Sequence, residues 1–355
     1  MSFAFARRQP PALRHGRPLW VGFVALSDCA PLVMAHELGL FEAFGLKVKL
    51  RREPGWATIR DKVLQGELDA AQAPAGVVFA ATLGLGCVPA PCVTGLVLNL
   101  HGNAITLSER LWTLGVRDGA TLRQHLQQYG PVTLGVAFQY SSHNFLLREW
   151  LRTHEIDPDR DVRLVAVPPP QMFPNLQAGH LDGYCVGEPW NSIAVLARKG
   201  WTVAVSPEIA PRHPEKVLMV REDFARERAP EHTALLAALL EACRFCQQPE
   251  NRERMLETLA LPQYVNAPIH ALRAGMCGTF DFGHGRIEKI ADFNVFSGDD
   301  ANQPDAAKAA WVTNQLAACD MLNDAKLLPA DSATTIFRPD LFAQAAQLAR
   351  SANPL

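Results

Sequence analysis

The stretch "DGYCVGEPWN", Asp182 to Asn191, ends an apolar Tyr-Cys-Val run at Gly187 and passes directly into Glu188, Pro189 and Trp190. A plain turn needs only the glycine or the proline. A loop that brings bare backbone up to a ligand also needs the glycine, so both readings stand at this point. His143 in "YSSHNFLLREW" opens a helix after a strand. There an imidazole either caps the helix or donates to an oxyanion with help from the helix dipole. Trp56 in "EPGWAT" stands at the start of a helix. Its ring is either a core anchor or a pocket wall with an indole N–H to donate, and the amides of that helix N-terminus favour an anion. Cys243 and Cys246 form a Cys-x-x-Cys within the helical run "LLEACRFCQQ". A zinc site needs a second pair of ligands, and none has suitable spacing. The cysteines therefore read as buried thiols, and no metal site is expected.

The surrounding elements alternate. A strand over 19–25 precedes the helical run "APLVMAHELGLFEAFG"; "KVKLRR" is a strand and "WATIRDKVLQG" a helix. "LDAAQAPA" is a short strand, "GVVFAATLG" a helix and "APCVTGLVLNL" a long strand. A second run follows: strand "VTLGVAF", helix "HNFLLREWLRTHE", strand "DVRLVAV", helix-bearing "PPPQMFPNLQAG" and strand "LDGYCVG". This order predicts an α/β fold with parallel sheets covered by helices on both faces. Gly66-Glu67-Leu68-Asp69-Ala70 and Gly179-His180-Leu181-Asp182-Gly183 recur at equivalent places, as two similar lobes would give. Helices follow after "KVLMVREDF", and the stretch "FDFGHGRIEKIADFNVFSGDDANQPD" reads as irregular surface structure.

A length of 355 residues suits two domains. With 48% hydrophobic and 20% charged residues the composition is globular. A formal net charge of −2 suggests no nucleic-acid surface, and no apolar run reaches the length of a membrane span. Arg7-Arg8 resembles the start of a twin-arginine export signal, but Gln9-Pro10-Pro11 and further basic residues follow instead of an apolar segment. Residues 1–17 are therefore expected to be a flexible leader and the chain cytoplasmic, or periplasmic if a native signal has been removed.

The blocks "VGFVALSDCAPLVMAHELGLFEAFGLKVKL", "REPGWATIRDKVLQGELDAA", "LVLNLHGNAITLS", "VAVPPPQMFPNLQAGHLDGYCVGEPWN" and "HPEKVLMVREDF" resemble the nitrate/bicarbonate solute-binding proteins of ABC transporters. The resemblance runs from about 19 to 300. It implies a periplasmic-binding-protein fold of type II, with two α/β lobes joined by a hinge of two crossing strands. The expected division is 18–102 plus 217–355 for lobe 1 and 103–216 for lobe 2. The ligand would lie between the lobes, at strand ends, and "CVGEPW" would be one of these.

The same resemblance implies the site. Trp56 would be a wall and donor, and His143 an oxyanion donor. Pro169, within Pro168-Pro169-Pro170, would form a rigid rim. Gly187 would let backbone approach the anion, and Glu188 would either orient a lysine or lie outside the pocket. Asn103 stands where nitrate-binding relatives carry a side-chain amide, often the longer glutamine. Lys216 stands at the start of the second crossing strand. In the family a lysine there accompanies nitrate, whereas bicarbonate-binding relatives carry an acid that works with a metal cation. A lysine supplies the counter-charge itself, so no metal or other cofactor is implied. On this basis Lys216→Glu is expected to abolish binding and leave the fold intact.

Three functions follow for comparison. The first is a cytoplasmic nitrate/nitrite sensor of the NasS-like branch, holding an RNA-binding antiterminator until the anion arrives. The second is the solute-binding component of an ABC-type anion transporter, partnered by its permease. The third is an enzyme, since type II lobes also occur in pyrimidine-precursor and tetrapyrrole synthesis. No nucleophile–base pair or phosphate loop favours that third reading, so a non-enzymatic binding protein is expected.

Overall fold

The computed structural model describes residues 17–322 and 332–352. The expected leader lies outside the described residues except for Arg17, whose guanidinium pairs with Asp69 at 2.6 Å.

Two sheets organise the chain. In chain order the first strands are β1 (Leu19–Val24), β2 (Val48–Glu53), β3 (Ala70–Pro74), β4 (Cys92–Val93) and β5 (Val97–His101). Then come β6 (Asn103–Ser108), β7 (Thr133–Val136), β8 (Arg163–Ala166), β9 (Gly183–Gly187) and β10 (Gly200–Val205). The last are β11 (Pro214–Arg221), β12 (Thr279–Gly283), β13 (Arg286–Lys289) and β14 (Asn294–Val295). One sheet has the order β14-β5-β11-β3-β1-β2, with β4 also on β11; the other has the order β10-β6-β9-β7-β8. The β1/β2 and β1/β3 pairs are parallel, while β11 runs antiparallel to both β3 and β5. In the second sheet β7 is parallel to β8 and β9, and β6 antiparallel to β9 and β10. Both sheets are mixed rather than purely parallel. The antiparallel members include β6 and β11, on which the chain enters the second sheet and returns to the first.

Those crossings occur twice. β5 in the first sheet passes through Gly102 alone into β6 in the second. Gly102 has φ +102°, and a Cβ there would fall 2.4 Å from Asn294 Oδ1, so conformation and space both select glycine. The return crossing runs from β10 through 206–213 into β11.

The interior follows from the strand compositions. Helices Ala30–Glu37 and Ala229–Gln247 close one face of the first sheet around Phe23, Phe41 and Leu218. Helices Trp56–Leu64 and Ala75–Leu83 close the other around Val24, Phe79 and Val217. The second sheet has its own core of Ile105, Leu134, Leu147 and Trp150. Cys243 and Cys246 are free, buried thiols, each with its pKa pushed up by burial.

Two further expectations are corrected. "APCVTGLVLNL" is not one strand but β4 and β5. Gly95 between them runs so close to helix Ala229–Gln247 that a Cβ would lie 2.7 Å from Leu236 Cδ1. The stretch after Phe280 is not irregular throughout: β12 and β13 form an antiparallel hairpin. Alternation within "TFDFG" buries Phe280 and Phe282 with Phe293 against Ala104 and Val205 of the second sheet. The chain flanking this hairpin belongs to the first sheet's side, since Leu272 and Met276 join its core and β14 pairs with β5. At the tip His284 stacks on Trp112 at 3.6 Å between centroids and lies 3.1 Å from Glu109.

Candidate functional site

Two helix N-termini converge between the sheets. Trp56 is the first residue of helix Trp56–Leu64, entered through the extended Gly55. His143 is the second residue of helix Ser142–Thr153. Their rings are stacked with centroids 6.5 Å apart and planes 19° from parallel, and both are buried. Lys216 Nζ lies 5.2 Å from the Trp56 ring centroid, a cation–π distance. Both helix ends direct positive dipole toward the same region.

Lys216 is the third residue of β11 and completely buried. Its ammonium is 2.8 Å from Asp28 Oδ2 and in contact with Glu215 Oε1. Glu215 Oε2 accepts from Asn103 Nδ2 at 2.6 Å and lies 3.3 Å from His213 Nε2. Glu215 Oε1 is 3.8 Å from His143 Nε2. Asp28 Oδ1 accepts from Gln72 Nε2 at 2.6 Å, and Gln72 Oε1 in turn accepts from the Val24 amide. One cation thus stands between two buried carboxylates.

Burial works against the Lys216 charge, but Asp28 and Glu215 outweigh it and raise its pKa. Burial alone would raise Glu215; Lys216, His213 and His143 overcome this and hold it below the usual carboxylate range. Asp28 goes the other way, since burial outweighs the Lys216 ammonium and pushes its pKa up. Burial, assisted by Lys216, lowers His143 to about 3, so its ring is neutral. A neutral imidazole offers one donor and one acceptor.

Several buried polar atoms of this cluster have no hydrogen-bond partner: Ser27 Oγ, Trp56 Nε1, Asn103 Oδ1, Ser142 Oγ and both His143 nitrogens. Folded proteins rarely leave such atoms unmet. Their gathering around Lys216 marks a place built to meet a small polar ligand.

The remaining expected residues fall around this centre. Gly187 pairs with Asn103, and a Cβ on it would point 3.5 Å from Asp28 Oδ2 and 3.4 Å from Asn103 Oδ1. The glycine of "CVGEPW" therefore keeps backbone against the polar cluster. Glu188 serves the next helix instead: its Oε2 accepts from the Ser192 amide at 3.2 Å, and its backbone carbonyl accepts from the Ser27 amide. Burial raises its carboxyl to about 7. The acids that orient Lys216 are Asp28 and Glu215. Pro169 begins helix Pro169–Gln177, and its neighbour Pro168 lies 3.8 Å from where a Gly55 Cβ would be, which puts this rim against the start of the Trp56 helix.

Sequence reading missed Asp28, Gln72, His213 and Glu215. Asp28 had a usable signal, since it lies just past the C-terminal end of the parallel strand β1, where α/β sheets place ligands. Among the described residues, no group of three or more His, Cys, Asp or Glu side chains could hold a metal ion.

Two mixed α/β lobes, two crossing strands and a polar cluster buried between them define a periplasmic-binding-protein fold of type II. The chain matches the NMT1-like family over residues 15–260 and belongs to it, among the nitrate/bicarbonate solute-binding proteins. It is 42% identical over 330 residues to the nitrate import ATP-binding protein NrtC of Synechocystis, covering 92% of this chain and 49% of that one. It is 39% identical to the bicarbonate transport ATP-binding protein CmpC of Synechococcus elongatus, covering 88% and 47%. With the nitrate/nitrite binding protein NrtA of Synechococcus elongatus the identity is 32%, covering 82% and 69%. The chain spans about half the length of the first two relatives. The crystal structure of the periplasmic nitrate-binding protein NrtA from Synechocystis superposes with a TM-score of 0.89 at 26% identity, covering 93% of this chain and 88% of that one.

Proposed function

We propose that this chain binds nitrate or nitrite between its lobes, through protein groups alone, as the ligand-recognition part of an ABC-type anion transport system. The observation that carries this is the meeting of Trp56, His143 and Lys216, with unpartnered donors around one buried ammonium. Nitrate is flat, singly charged and weakly basic. Aromatic faces, N–H donors and a positive charge in a water-excluded setting are what it requires. The similarity to a nitrate import protein, NrtC, and a nitrate/nitrite binding protein, NrtA, supports the choice of ligand. No chemical step is implied, so the chain acts as a binding protein and not as an enzyme.

Calorimetric titration with nitrate, nitrite and bicarbonate, each with and without calcium, tests this. Nitrate or nitrite is expected to bind without calcium. Calcium-dependent bicarbonate binding with no response to nitrate or nitrite overturns the reading and favours the ligand named for CmpC.

A second reading is a cytoplasmic sensor that releases an RNA-binding antiterminator when the anion binds. It requires partner and anion to prefer different lobe arrangements. Co-purification from the native cell separates the two: a permease and ATPase support transport, and a nitrate-sensitive antiterminator complex supports sensing.

A further inference from the structure

The cluster around Lys216 has an uneven charge count. Asp28, Glu215 and Lys216 are each at most 2% exposed, and they bring two carboxylates to one ammonium. The nearby His143 is neutral. An incoming monoanion would be a third negative charge in a buried place whose only ammonium is already shared. Such a ligand is tolerated if a proton arrives with it.

We propose that Asp28 is the specificity-determining proton acceptor of this site, so that a monoanion enters together with one proton that settles on Asp28 Oδ2. The proposal rests on the anion-binding reading above. The balance is simple: protein, anion and one solvent proton give the complex, with no bond in the ligand made or broken.

Geometry selects Asp28 over its neighbours. Both Glu215 oxygens accept hydrogen bonds, Oε1 from Lys216 and Oε2 from Asn103. Asp28 accepts a hydrogen bond on Oδ1 alone, from Gln72, while its Oδ2 faces the Lys216 ammonium as an ion pair. Its Oδ1 is occupied by the Gln72 amide, whose orientation is fixed by Val24 N–H. The proton therefore goes to Oδ2, the atom that faces Lys216, and protonation there releases the ammonium toward the ligand. The groups facing Asp28 are Lys216 and Glu215 from β11, Gln72 from β3, the Gly187 backbone from β9, and the adjoining Cys29. Burial, with the charge of Asp28 added, pushes the Cys29 thiol well up, so it stays neutral. The raised pKa of Asp28 agrees with this assignment.

The consequence is selective. Nitrate, which carries no proton of its own, must draw one from solvent, so its affinity falls as pH rises. The test is calorimetry on the full chain with sodium nitrate and sodium nitrite from pH 6 to 9, in buffers of different ionisation enthalpy. About one proton taken up per anion is expected at the alkaline end, with Kd rising about tenfold per pH unit there. Asp28→Asn is expected to abolish the uptake, flatten the pH profile and bind more tightly than the wild type at pH 9. Glu188, which titrates in the same range, is controlled by Glu188→Gln, expected to keep the slope. Anion binding by the wild type without proton uptake, or uptake that survives Asp28→Asn, overturns the proposal. If Asp28→Asn does not fold, nitrate-induced difference infrared spectra of the wild type decide: a new protonated-carboxyl band supports the proposal and its absence refutes it. Absence of binding to both anions at every pH removes the anion-binding reading itself, a separate failure from binding that is indifferent to pH.

Discussion

Glu215 and Lys216 are chain neighbours on β11, yet their side chains meet. Successive side chains on a regular strand point to opposite faces. Here the β11/β5 register shifts on either side of Lys216, because Pro214 pairs with Leu100 and Lys216 with Asn99, which leaves Glu215 as an extra residue. This bulge turns acid and base toward the same buried cluster.

Lys216→Met is therefore expected to damage the fold as well as the site, contrary to the intact fold expected from sequence. It would leave Asp28 and Glu215 buried without their cation, a loss of about 3–5 kcal/mol. Urea unfolding measures this, and nitrate titration of the folded fraction should show no binding. Stability within about 1 kcal/mol of the wild type would contradict the buried triad.

Glu188→Gln should flatten stability on the alkaline side. Burial raises the folded-state carboxyl from 4.5 to about 7. Between these values the folded protein holds a proton that the unfolded chain has released, so stability falls as pH rises through the window. The integrated effect is about 3 kcal/mol. Thermal unfolding at pH 5 and pH 8 reads it: the wild type should lose stability between them, and the variant much less.

His232→Leu should help on the acid side. His232 is buried in helix Ala229–Gln247, with neither ring nitrogen hydrogen-bonded. Burial, aided by Arg338, lowers its pKa from 6.5 to about 4. The unfolded chain takes up a proton below 6.5 while the folded one does not, so stability is lost as pH falls from there toward 4. At pH 5 the variant is expected to gain about 2 kcal/mol more than it does at pH 7.5. Equal changes at both pH values would show that titration plays no part.

Gly102→Ala should strain the shorter crossing. Positive φ and the approach of Asn294 Oδ1, itself held by Asn99 Nδ2 at 3.0 Å, leave no room for a methyl group. A loss of about 2 kcal/mol or more is expected, with changed nitrate on- and off-rates. Stopped-flow fluorescence from Trp56 can follow them. Unchanged stability would mean that β5 and β6 relax freely about this residue.

The α/β alternation was legible from local pattern, whereas the crossing strands and the roles of Trp56, His143 and Lys216 were legible only through the family resemblance of the blocks that hold them. Glu215 was not, since alternation assigns it to the face opposite Lys216 and only a bulge reverses that. Asp28 sits on a short helical turn between β1 and helix Ala30–Glu37, and its partner Gln72 comes from the middle of β3. Their meeting is tertiary. The role of Glu188 was left open because its neighbour in the sequence motif, Gly187, does face the cluster, whereas one residue later the chain has already turned into the next helix.

The β12–β13 hairpin gives the cleft a colloidal side-effect. It is rooted beside the first sheet and covers the second with Phe280, Phe282 and Phe293. If the lobes part and the hairpin stays with its roots, those rings lose their cover. Opening and the appearance of a sticky aromatic surface are then one event. A ligand that keeps the lobes together also keeps this surface hidden, so the liganded protein should be the one that stays in solution when concentrated.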